Sequence, residues 1–138
     1  MSKKVAVDIT TEQAMKKLGE LIRKCRGARS LRKIAEPSCI PASQLLSIEN
    51  GAMSPTADVY PKLLDTLQPD EKQKVELDRL YMTIRKTPPP DVCELLINNP
   101  NLITILRAME DAKLSKKDMN SALALIAQIK IKGDTDNG

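Results

Sequence analysis

Apolar residues return every three or four positions over most of this chain, with polar residues between them, a period that predicts amphipathic helices and not strands. Thr10 with Gln13 has the pattern of a capping box, and Ala14, Leu18, Leu21, Ile22 and Cys25 mark the inner face of a helix that stops near Gly27. Ser30 is placed to cap a second helix carrying Ile34 and Ala35, and a third starts after Pro41 with Leu45 and Ile48 inward. A fourth runs to about Leu67. Pro69-Asp70-Glu71 opens a fifth, with Leu77, Leu80, Tyr81 and Ile84 on one side.

The run Thr87-Pro88-Pro89-Pro90 forces an extended path and is the clearest break. Beyond it the pattern predicts three further helices. Val92, Leu95 and Leu96 mark the first, which ends at Asn99-Pro100, and Leu102, Ile103, Leu106 and Met109 mark the second. Ser115 with Asp118 starts the last, along which Met119, Ala122, Leu123, Ile126 and Ile129 form a stripe. Leu125 and Ile131 lie off that stripe, so this helix has apolar residues on more than one side, to be covered by a second subunit or by the chain's own helices. The expected class is all-α: a flexible arm over 1–10, a helical domain over 11–86, a smaller helical unit over 87–132 and a disordered tail over 133–138.

Composition agrees. A chain of 138 residues with 41% hydrophobic residues can bury a modest core, and with Tyr60 and Tyr81 as its only aromatics that core is aliphatic. So few aromatics leave no platform for stacking on unpaired bases. The first 13 residues lack the apolar stretch of a secretory signal, and no run approaches a membrane span. Cys25, Cys39 and Cys93 are odd in number and have no His beside them, which fits neither a disulfide framework nor a metal site. They are expected as small buried side chains in a reducing cytoplasm. No cofactor is expected. Without His, a glycine-rich phosphate loop or a nucleophile paired with a base, the chain is not expected to be an enzyme.

Charge is uneven. Residues 1 to 67 hold eleven basic and seven acidic side chains, whereas residues 68 to 138 hold eleven of each. From Lys16 to Lys33, eight cations face Glu20 alone. Such a cluster is either a solvated helix face or a phosphate-binding surface.

The segment Leu31 to Gly51 spaces its apolar residues as two short helices across a tight turn, with Ile40 on the turn. That is the helix-turn-helix plan, which presents its second helix to the DNA major groove. Leu45-Leu46-Ser47-Ile48-Glu49-Asn50-Gly51, followed by Pro55-Thr56 and Lys62-Leu63-Leu64-Asp65-Thr66-Leu67, resembles the lambda-repressor-like (Cro, or XRE) family. Leu18 to Arg23 and Ser30 to Ala35 resemble its first two helices, so the likeness covers residues 14 to 67. Cys39 stands where that family has a turn glycine, and Pro37 and Pro61 are expected to disturb the first motif helix and the helix after the motif.

The resemblance implies a prokaryotic or phage-encoded, cytoplasmic repressor of transcription that binds duplex DNA as a homodimer or higher oligomer. Base and phosphate contacts would fall on Arg29, Arg32, Lys33, Ala42, Ser43, Gln44, Leu46, Ser47 and Asn50. Gln44 can pair with adenine, Ser43 and Ser47 with several base edges or phosphate, and Ala42 and Leu46 can touch thymine methyl groups. Against this, Ser43 and Ser47 can simply solvate the helix, and Leu46 can pack on a neighbour. Glu49 is expected to brace the fold through a basic neighbour. The segment Leu106 to Ile129 is similar to the C-terminal helical hairpin through which some sporulation-control repressors of the family oligomerise, which assigns Leu106, Met109, Met119, Leu123 and Ile126 to dimerisation. An alternative is a protein-interaction module of antitoxin or anti-repressor type, and any protein or peptide effector is left open.

Overall fold

The computed structural model describes residues 9–137, and among them all regular secondary structure is helical. The chain falls into two compact units that divide between Leu95 and Leu96. The division comes later than the proline run where the sequence pattern places it. Pro89 is buried and the Cys93 thiol donates to the Pro88 carbonyl at 3.3 Å, so the proline segment is part of unit 1.

In unit 1, helix α1 (Thr11–Arg26) opens on the expected capping box: Thr10 Oγ1 accepts from the Gln13 amide at 3.0 Å, and Gln13 Oε1 accepts from the Thr10 amide at 2.9 Å. It closes on Gly27, at φ 60°. Helix α2 (Leu31–Ala35) is capped by Ser30, whose Oγ accepts from the Lys33 amide at 3.1 Å. It ends before Pro37, the shortening that proline predicts. Cys39 in the following turn holds φ 61°, a left-handed conformation costing a residue with a Cβ about 1 kcal/mol. Ser38, buried beside it, donates to the Ile34 carbonyl at 2.8 Å, and Ile40 is buried after it, so both flanks of the turn are fixed.

Helix α3 (Ala42–Glu49) follows Pro41, and helix α4 (Val59–Leu67) follows a short loop. Pro61 does not disturb α4. It is the third helical residue, where the amide has no intrahelical acceptor to lose. Helix α5 (Glu71–Arg85) begins with a second capping box, from Asp70 and Gln73. Helix α6 (Pro90–Asn98) crosses the division between the units.

Helix α1 packs against α3, α4 and α5, and α2 against α3 and α4. The side chains buried between them include Leu18, Ile22, Ile34, Leu45, Ile48, Leu63, Leu77 and Leu80, the faces that periodicity selects. Tyr60 and Tyr81 stack with ring centroids 4.2 Å apart, and Tyr60 Oη donates to Asp78 Oδ1 at 2.7 Å. Gly19 is where α1 crosses the end of α3. A Cβ there would overlap the carbonyl oxygens of Ile48 and Glu49, so only glycine permits the approach.

The cysteines differ from expectation. Cys25 is half-buried against the core and Cys93 is half-buried, but Cys39 is exposed, because its turn conformation directs it away from the apolar interior.

Unit 2 comprises the end of α6, helix α7 (Asn101–Ala112) and helix α8 (Lys116–Asn137). Ser115 and Asp118 start α8 by exchanging side-chain to backbone bonds at 3.1 Å. The helix continues through Gly133, where a disordered tail is predicted from sequence. A glycine inside a helix costs only about 1 kcal/mol relative to alanine, and no proline follows it. Of the arm predicted over 1–10, residues 1–8 lie outside the described residues, as does Gly138; Ile9 packs on the core and Thr10 caps α1. Among the described residues no side chain of unit 2 is buried, and no helix is long and apolar enough to cross a membrane.

Candidate nucleic-acid interface

Leu45 and Ile48, both without solvent exposure, set the inner face of α3. The opposite side is therefore determined by helical geometry. Ser43, Leu46 and Asn50 are exposed and Ser47 is half-exposed, and their spacing places them in one stripe along the helix and its closing turn. Leu46 is 42% exposed. Gln44 is half-buried at the flank, and Ala42 packs partly against the core, so neither belongs to the open stripe.

The end of this helix is anchored by ion pairs. The Glu49 carboxylate is fully buried and receives Arg26 Nε at 2.7 Å on Oε2, with Arg26 Nη2 at 2.9 Å and Arg23 Nε at 3.3 Å on Oε1. The hydrogen bond to Glu49 holds the Arg26 guanidinium still more firmly in its charged form. Arg23 also reaches past Glu49 and donates from Nη2 to Asn50 Oδ1 at 2.8 Å. Glu49 thus joins the end of α1 to the end of α3 and has its charge neutralised by basic neighbours. The Asn50-Gly51 turn, with Gly51 at φ 79°, passes close enough to Lys16 that a Cβ on Gly51 would strike the Lys16 side chain.

Arg29 takes a different role from the phosphate contact expected of it. Its guanidinium binds backbone carbonyls at two helix ends: Nε to Arg26 O at 3.0 Å, Nη2 to Cys25 O at 2.6 Å and to Leu67 O at 3.3 Å, and Nη1 to Thr66 O at 3.3 Å. These acceptors are the free carbonyls of the last turns of α1 and α4, which attract a cation. Arg32 and Lys33 remain exposed on α2, Arg32 with only a 3.8 Å contact to the exposed Glu36.

Arg23 and Arg26 stand out in the sequence only as members of the Lys16–Lys33 cluster; their i, i+3 spacing near the end of α1 gives no sign of the Glu49-Asn50 pair they meet. Burial pushes the Cys25 thiol up from its ordinary value.

In unit 2, Leu106, Met119, Leu123 and Ile126 are exposed and Met109 is half-buried, alongside exposed Ile103, Ile105 and Leu125 that the assignment to dimerisation omitted. Compared with known proteins, the chain matches no family model, no curated protein and no solved structure.

Proposed function

We propose that the protein is a sequence-specific regulator of transcription of the lambda-repressor-like kind, a repressor that binds duplex DNA as a dimer with α3 of each subunit in the major groove. The observation that carries this reading is the stripe Ser43, Leu46, Ser47 and Asn50 on the open face of a short helix whose other face is buried and whose end is tied down by Glu49. A reading helix must be held rigidly while its outer side chains stay free. Arg23, Arg32 and Lys33 supply cations beside it for phosphates.

Dimerisation is supported by the exposed apolar residues of α7 and α8, which a unit this small cannot leave in water without cost. Two reading helices on one face of the duplex would then meet half-sites about 34 Å apart.

The test is selection of bound duplexes from a random pool, followed by titration at two salt concentrations against a Ser43→Ala, Ser47→Ala variant. The proposal expects a palindromic motif, loss of preference for it in the variant, and retained salt-sensitive general binding. No motif, together with a stoichiometric protein partner captured by unit 2, would replace it with the second reading, an interaction module of antitoxin or anti-repressor type. The exposed faces of α7 and α8 are the observation favouring that alternative.

A further inference from the structure

We propose that unit 1 carries a binding site for a small organic amine with an apolar body, in the recess between the last turn of α4 and the starts of α5 and α6. The site stands independently of the DNA-binding reading. The recess has a volume of about 330 Å³ and lies wholly within unit 1. Small-molecule pockets start at about 300 Å³, so a compact ligand fits. Its apolar lining is Tyr60, Pro61, Leu64, Pro69 and Pro90. These walls are held in place by the fold itself: Tyr60 stacks on Tyr81, and Arg29 binds the Thr66 and Leu67 carbonyls in the same last turn of α4. The three prolines have a locked φ, and a preformed site loses little to ordering when it is filled.

Charge decides what the recess takes. Its polar lining is Asp65, Gln68, Lys74 and Asp91. Lys74 Nζ is committed to Asp78 Oδ2 at 3.3 Å, and the Tyr60 hydroxyl donates to the other oxygen of that carboxylate, so this cation is balanced within the chain. Asp65 and Asp91 are exposed, and among the described residues neither is ion-paired. Gln68 donates from Nε2 to the Asp65 carbonyl at 2.7 Å, which leaves its Oε1 as a further acceptor. In a chain of net charge +4 the recess is therefore locally negative. An anion is repelled there, whereas an ammonium group can pair with a carboxylate while its alkyl part covers the tyrosine and proline faces. A neutral apolar ligand makes only the second of these gains.

The experiment titrates the full chain, labelled with nitrogen-15, with hexylamine, hexanol and hexanoate near neutral pH and follows the amide resonances. Hexylamine is expected to bind in the millimolar range, ordinary for so small a ligand, with shifts centred on Leu64, Asp65, Gln68 and Lys74. Hexanol should bind more weakly at the same residues, and hexanoate not at all. In the Asp65→Asn, Asp91→Asn variant, hexanol binding should match the parent and show the recess intact, while hexylamine should lose about fivefold and bind no better than the alcohol. Nα-acetyllysine methylamide carries the same cation on a polypeptide and should bind more weakly than hexylamine, because its peptide groups would meet apolar walls; tighter binding would overturn the free amine in favour of a lysine from another chain. Hexanoate binding as well as hexylamine, shifts centred on the exposed apolar faces of α7 and α8, or a variant that keeps the preference for amine over alcohol would each overturn the site.

Discussion

Arg23 Nη2 donates to Asn50 Oδ1 at 2.8 Å, so the carbonyl end of the Asn50 amide is engaged by the protein and its Nδ2 hydrogens are left for another acceptor. At the turn that closes α3, that acceptor is a phosphate oxygen in the proposed complex. Asn50→Ala should weaken binding to every duplex to a similar degree, about threefold to tenfold, and lower the salt dependence little, since the amide is neutral. Arg23→Gln should weaken binding and also reduce the slope of log affinity against log salt by about one. Titrations at several salt concentrations separate the two, and an unchanged slope for Arg23→Gln would remove that arginine from the interface.

Arg29 and Lys33 make opposite predictions although both belong to the same basic cluster. Arg29→Ala removes the guanidinium that holds the carbonyl ends of α1 and α4 together and should destabilise the fold by about 2 kcal/mol, with the salt slope of DNA binding unchanged. Lys33→Ala should leave the melting temperature within a degree or so, since surface changes cost little, and reduce the salt slope by about one. Melting curves and salt titrations on both variants test the division.

Glu49→Ala removes the carboxylate from between Arg23 and Arg26. Glu49 is the buried partner, whereas Arg23 is half exposed and can turn to water, so the loss is mainly that of the two Arg26 hydrogen bonds to the carboxylate, about 2 kcal/mol. Chemical denaturation of the variant should show that loss, and the end of α3 should gain amide exchange ahead of the rest of unit 1. Parent-like stability would mean the ion pairs merely decorate the helix crossing.

Tyr60 predicts an alkaline limit to stability. Burial, then the hydrogen bond to Asp78, push its phenol far above the ordinary value of 10.0. The unfolded chain releases this proton near pH 10 while the folded chain keeps it, so the folded state binds more protons there. The stabilisation is fully present below the unfolded value and is lost as pH rises beyond it. Tyr60→Phe should show a weaker fall in melting temperature on the alkaline side than the parent; identical alkaline profiles would contradict the assignment.

Leu123→Lys with Ile126→Lys places two charges on the exposed stripe of α8. In a dimer joined by these faces the double variant should sediment as a monomer, while the cooperative unfolding of unit 1 stays where it is. DNA affinity should fall steeply, because the second reading helix is no longer attached. A variant that sediments like the parent would take these residues out of the self-interface.

What the sequence by itself determined is local. Capping boxes at Thr10 and Asp70, the Ser30 cap, the inward faces of α1, α3 and α5 and the reciprocal start of α8 all depend on residues within a turn or two of each other. The outward stripe of α3 follows from Leu45 and Ile48 by helical geometry alone. Tertiary structure decided the rest, because it brings together residues whose proximity no periodicity encodes. Arg29 looks like a free cation until Thr66 and Leu67 arrive beside it, Arg23 gains its role only when Asn50 is folded against α1, and Gly19 is needed only because α3 ends there. Pro89 is buried within unit 1, a placement that the proline run alone does not reveal. A cation goes to whichever unsatisfied oxygens the packed helices bring near it, and that choice is made by the fold.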